Sequence, residues 1–142
     1  MKKIILVLCV FGTLFSCNIR NSKYHPGLQA YGPHFTDSTS VVILDSTYDF
    51  GKVTDGEKVV YNYRFRNSGN KPLVIASAVA SCGCTVPEKP EEPIKPGEIG
   101  ILKVVFNSEG RVGPAHKEIR VESNAYPPFP TLVLTGMVES KK

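Results

Sequence analysis

Between Lys58 and Asn67 the sequence alternates with a period of two. Val59, Tyr61, Tyr63 and Phe65 fall on one side, and Val60, Asn62, Arg64 and Arg66 on the other. Only an extended strand keeps these sets on opposite faces; a helix would wind the aromatic residues around its circumference. A strand with one aromatic face must lay that face against a second layer. This segment alone therefore directs the chain towards a layered β-structure.

The flanking sequence continues the pattern. Val41 to Phe50 reads as a strand region broken near Asp45, and Leu73 to Ala80 as another. Ile101 to Asn107 carries Leu102, Val104 and Phe106 on one face. From His116 to Ser123, Lys117, Ile119, Val121 and Ser123 oppose His116, Glu118, Arg120 and Glu122. Leu132, Leu134 and Val138 fill the inward side of a last strand, leaving Met137 outward. Turn signals stand between these runs: Thr54-Asp55-Gly56-Glu57, Ser68-Gly69-Asn70, Glu109-Gly110-Arg111 and Gly113-Pro114. Lys95-Pro96-Gly97-Glu98 fits a type II turn, with Pro fixing φ and Gly accepting a positive φ. Glycine (12) and proline (11) together make 23 of 142 residues, which favours a turn-rich chain over a helical bundle. The expected fold is all-β, an antiparallel β-sandwich of about seven strands over residues 41–139. Its core is expected to hold Tyr61, Tyr63, Phe65, Leu73, Ile75, Leu102, Val104, Phe106, Ile119, Val121 and Leu134.

The N-terminus reads as targeting sequence. Lys2 and Lys3 precede an apolar run, Ile4 to Phe15, that is too short for a stable bilayer span. Leu14-Phe15-Ser16-Cys17 then resembles the bacterial lipobox, in which the chain is cut before the Cys and the sulfur is lipidated. Residues 1–16 are read as a cleaved lipoprotein signal peptide and Cys17 as the lipidation site. Residues 17–40 are read as a flexible tether with a reach of about 25 Å. His25 and His34 are solvated residues of that tether. Asn18, Ile19, Arg20 and Asn21 bring no acidic run after Cys17, which favours an outer-membrane anchor facing the periplasm. Without residues 1–16, Lys+Arg falls from 17 to 15 against 13 Asp+Glu, a net charge of +2. Charges of interspersed sign argue against a nucleic-acid partner, which needs a clustered basic face.

A set of short motifs resembles one family. They are Tyr48-Asp49-Phe50-Gly51, Phe65-Arg66-Asn67-Ser68-Gly69, Pro72-Leu73, Ser81-Cys82-Gly83-Cys84-Thr85-Val86-Pro87, Pro96-Gly97, Gly110-Arg111-Val112-Gly113, Val121-Glu122-Ser123-Asn124 and Leu134-Thr135-Gly136. Together, over about residues 46–139, they are similar to domain-of-unknown-function family 1573, immunoglobulin-like periplasmic lipoproteins. The resemblance implies an Ig-like sandwich related in style to major sperm protein and cilium-associated domains, which mostly bind other proteins. It implies no established activity.

Cys82 and Cys84 are the thiols left once the signal and the anchor are set aside. Three readings of Cys82-Gly83-Cys84 stand open. The sulfurs form a short-loop disulfide, which the oxidising envelope favours and for which Gly83 supplies backbone freedom. They capture a soft metal such as Cu(I) or Zn(II), with only two ligands adjacent. Or they are structural thiols, one of them in the core. Redox catalysis would ordinarily rest on Cys-x-x-Cys at a helix start, which this pair lacks. His116 and Met137 read as surface residues, not ligands. Glu88, Glu91 and Glu92 read as members of a solvated loop from Pro87 to Pro96, and Asp45, Ser46 and His116 form no triad by sequence alone.

The function expected is that of a membrane-anchored envelope lipoprotein whose Ig-like domain binds proteins or serves as a structural module. Exposed Val60, Ile101 and Val105 would contribute to its contact surface. Its partners are the membrane, through the lipid, and a protein still to be identified. Catalysis, a cofactor, a small-molecule substrate and nucleic acid are not expected. The alternative is a thiol-redox or copper- or zinc-handling protein that uses Cys82 and Cys84.

Overall fold

The computed structural model describes residues 37–142. The signal peptide, Cys17, His25 and His34 lie outside the described residues. Eight strands follow one another: β1 (Val41–Ile43), β2 (Thr47–Thr54), β3 (Lys58–Asn67), β4 (Ile75–Ala80), β5 (Thr85–Glu88), β6 (Ile99–Asn107), β7 (Gly113–Ser123) and β8 (Leu132–Glu139). They form two four-stranded sheets, β1-β3-β6-β5 and β2-β8-β7-β4, packed as a β-sandwich.

Two details depart from the expectation of about seven antiparallel strands. β2 runs parallel to β8, pairing Thr47 with Val133 and Thr54 with Glu139. No hairpin joins these strands, so no tight turn forces them antiparallel. The additional strand is β5, which includes Pro87 and Glu88, residues read above as loop. β5 is an edge strand, where a proline's missing N–H breaks no ladder bond. The interruption near Asp45 proves to be a change of sheet: β1 pairs with β3 in one layer, and β2 with β8 in the other.

The alternation of β3 sorts its side chains as expected. Val59, Tyr63 and Phe65 are buried, and Val60, Asn62, Arg64 and Arg66 face solvent. Leu73, Ile75, Leu102, Val104, Phe106, Ile119, Leu132, Leu134 and Val138 complete the core. Tyr61 and Val121 are only half-buried, a correction to the expected core. Tyr61 stacks on half-buried Tyr48, ring centroids 3.7 Å apart, at the rim of the sandwich. Val121 faces Ala78 across the ladder, and that methyl is too small to cover it. Lys117, on the inward side of β7, lays its stem over the Phe106 ring with Nζ 5.6 Å from the centroid. Gly136 leaves room for the Phe50 ring, into which a Cβ at that position would run.

The predicted type II turn is present: Gly97 has φ +84° and the Glu98 N–H donates to the Lys95 carbonyl at 3.0 Å. The folded unit also takes in Thr39, from the stretch read as tether. It is buried, bridges to Ala125 and donates its N–H to the Asn124 carbonyl at 3.1 Å.

Candidate functional site

The corner between β4 and β5 carries the Cys-x-Cys pair. Ser81 anchors the end of β4: its N–H donates to the Glu118 carbonyl at 2.8 Å, and its Oγ accepts from the Glu118 N–H at 3.2 Å. The chain then crosses from one sheet to the other through Cys82, Gly83 and Cys84. The Asn107 N–H donates to the Cys84 carbonyl at 2.9 Å, and the Thr85 N–H to that of Cys82 at 3.2 Å. Such close pinning brings the sulfurs to disulfide-bonding distance, with Cα atoms 5.3 Å apart. Thr85 Oγ1 lies 3.6 Å from Cys82 Sγ and 3.9 Å from Cys84 Sγ. Cys84 is buried, Cys82 half-buried and Gly83 exposed. Gly83 does not use a positive φ, and a Cβ there would meet nothing within 4 Å. Glycine's conformational freedom is therefore not what closes this corner, contrary to the expectation above.

Beside the corner, Gly83, Cys84, Val86 and Val105 line an open groove of about 530 Å³ together with the charged Lys58, Glu109 and Arg111. Val105 stands between Val60 on β3 and Val86 on β5 in the register of the sheet. These valines form an aliphatic row across the outer face, with Val60 52% and Val86 54% exposed and Val105 half-buried. Ile101, also expected outside, is exposed next to Arg64.

The remaining candidates are dispersed. His116 is exposed on β7 with Nε2 3.8 Å from the Glu118 carboxylate, and Met137 lies on the outer face of β8. Glu88 pairs with Lys103 at 3.0 Å, while Glu91 and Glu92 are solvated. Asp45 accepts from Arg64 Nε at 2.7 Å and Nη2 at 3.1 Å, and the guanidinium holds its carboxyl below the usual carboxylate range. Among the described residues, no three His, Cys, Asp or Glu side chains gather where they could hold a metal ion. Burial, reinforced by the neighbouring Tyr61 and Tyr48, pushes the Tyr63 phenol well above its ordinary pKa. That hydroxyl donates to the Val133 carbonyl at 2.7 Å and ties the two sheets together.

Three polar residues not singled out by side-chain chemistry hold the loops. Asn67, fully buried, donates from Nδ2 to the carbonyls of Lys71 (2.7 Å) and Ile94 (2.9 Å), and its Oδ1 accepts from Thr39 Oγ1 (2.9 Å) and the Gly69 N–H (3.1 Å). Asn124 accepts from the Val74 N–H at 2.9 Å and donates to the carbonyls of Asp37 and Pro72. Ser108 donates to the Glu57 carbonyl at 2.8 Å and accepts from the Gly56 N–H at 3.0 Å. The first two stand in motifs that carry the family resemblance, but the sequence did not assign their partners.

A family model described as a protein of unknown function (DUF1573) matches residues 41–138. Among solved structures, a protein of unknown function from Porphyromonas gingivalis W83 is similar at 20% identity and TM-score 0.61, over 71% of this chain and 47% of that one. This chain thus spans less than half the length of that protein. The ASH/PapD-like domain 7 of human CEP192 is similar at 15% identity and TM-score 0.55, over 78% of this chain and 93% of that one. A secreted serine protease, VesC from Vibrio cholerae, is similar at 12% identity and TM-score 0.51, over 70% of this chain and 23% of that one. No curated protein matches the chain. At such identities the likeness is one of fold, a β-sandwich.

Proposed function

We propose that this chain, which belongs to the DUF1573 family of proteins of unknown function, is an envelope lipoprotein whose sandwich binds another protein and catalyses no reaction. Cys17 carries the lipid, the stretch after it tethers the domain up to Thr39, which already belongs to the folded unit, and the anchor lies in the outer membrane facing the periplasm. The observation that carries the binding reading is the aliphatic row of Val60, Val105 and Val86, on an outer face that also exposes Ile99 and Ile101. Contiguous exposed apolar surface of this kind is characteristic of contact sites. The test places a photo-crosslinking amino acid at Val60 in intact cells, with a control at Lys142. A discrete adduct from Val60 alone supports the reading; no adduct, or the same smear from both positions, overturns it. Cys17→Ala tests the anchor: release from the membrane and loss of the lipid label are expected, because acyl chains supply about 0.8 kcal/mol per buried CH₂.

A second reading rests on the proximity of the Cys82 and Cys84 sulfurs, with Cys84 lining an open groove. A dithiol donor would reduce the bond to two thiols and become a disulfide itself; alternatively the free thiolates would take a soft metal ion. Metal content and free-thiol count of the purified chain separate the two cases.

A further inference from the structure

We propose that the open edge of β4 is a strand-addition site and that its occupant is an extended, uncharged segment of another protein. The inference rests on the protein-binding reading above, to which it gives a place and a chemistry. A sandwich of two open sheets has four edge strands, here β1, β5, β2 and β4. Edges left unprotected recruit further strands, so proteins blunt them with shortness, proline, charge or bulges. β1 has three residues. β5 has four, with Pro87 and Glu88 among them. β2 carries Asp49 and Lys52 and shifts register between them. β4 differs: Ile75-Ala76-Ser77-Ala78-Val79-Ala80 has neither charge nor proline, and its one register shift lies at the start, between Ile75 and Ser77.

The backbone of β4 is set up for addition. The Ser81 N–H points at β7, where it donates to the Glu118 carbonyl. Successive residues of an antiparallel strand turn their polar groups to opposite sides, so Val79 and Ser77 face β7 while Ala80 and Ala78 face the open flank. The chain already uses this line once. Just before β4, Leu73 and Ile94 exchange both backbone bonds at 2.9 Å in an antiparallel bridge. A partner strand would lie in the direction marked by Ile94, between that bridge and the Cys82–Cys84 corner.

The same surface states the partner's chemistry. Val79 is 62% exposed and, with Ala80, Ser81, Glu118 and Arg120, lines a shallow depression beside the edge. Glu118 and Arg120 carry opposite charges and β4 carries none, so this surface favours neither sign of charge, and its exposed Val79 side chain matches an uncharged partner residue. An uncharged β-branched residue opposite Val79 loses nothing and covers it. A second copy of this chain is a poorer fit: a stable dimer needs ~1,000 Å², which the four small residues from Ser77 to Ala80 do not supply, whereas a transient partner is held by less.

The test uses the isotope-labelled full chain and capped decapeptides as probes, one alternating Thr and Val, one Lys and Val, one Glu and Val. Amide exchange at Ala78 and Ala80 should slow by roughly tenfold with the Thr/Val peptide, and less with either charged peptide. Ala78→Pro removes an N–H that β7 does not use, and should abolish the effect with the remaining spectrum unchanged. Val79→Lys, a purely surface change, should weaken it even if the proline variant does not fold. The proposal falls if Ala78 and Ala80 are unaffected, if charged peptides act equally, or if protein concentration alone slows their exchange, which would make the occupant a second copy. A crosslink from Val60 with unaffected β4 amides would retire this site and leave the binding reading standing; slowed amides with no crosslink would do the reverse.

Discussion

Asn67 shows how much of this sandwich depends on single polar side chains. One buried amide satisfies two carbonyls, a hydroxyl and a backbone N–H drawn from three segments of chain. Asn67→Ala leaves those groups without their partner in the interior, and should cost about 2–3 kcal/mol in urea unfolding. An unchanged midpoint would mean that water replaces the amide. Asp45 is the contrasting case, an ion pair at the surface with Arg64 58% exposed. Its carboxyl is held below the usual range, so its stabilisation is complete above the unfolded value of about 3.9 and is lost as pH falls through the lowered one. Asp45→Asn should therefore cost less than about 1 kcal/mol at neutral pH. The variant and the parent should converge in acid, as unfolding curves across the pH range would show. The motif residues Asn67, Ser68, Gly69 and Asn124 that carry the family resemblance thus sit at structural clamps. Their identity was legible in the sequence, but their partners were not, because each clamp joins segments tens of residues apart.

Register is decided at the level of the strand. Phe106 is fully buried and packs against Phe50, ring centroids 5.7 Å apart, with Lys117 above it. Phe106→Ala should cost about 3–5 kcal/mol. Arg66→Ala, on the opposite face of the neighbouring strand, should stay within about 0.5 kcal/mol. Comparable losses from the two would contradict the assigned faces, since a slip of one residue exchanges them. Strands with a clean period of two, β3, β6 and β7, could be read from their residues. β5 could not, because Pro87 signals a loop unless the strand is known to be an edge. The parallel pairing of β2 with β8 was likewise hidden, as nothing local says which strand a chain terminus will meet.

Across the whole molecule, one flank is held by two stitches, the Leu73–Ile94 bridge and the Cys82–Cys84 corner. A disulfide spanning so short a loop removes little entropy from the unfolded chain and adds little stability. Reduction should leave the circular dichroism spectrum intact and shift the melting temperature only slightly; alkylation before and after reduction should differ by two thiols. A collapse on reduction would show that the corner holds the sheets together. What the sequence alone determined is the layered β-architecture and most of its core, because alternation and turn chemistry are local properties that act before any long-range contact. The pairing of edges, the blunting of β1, β2 and β5 and the exposure of β4 were decided by the tertiary structure. An edge has no local signature: it exists only once every other strand has found its neighbour.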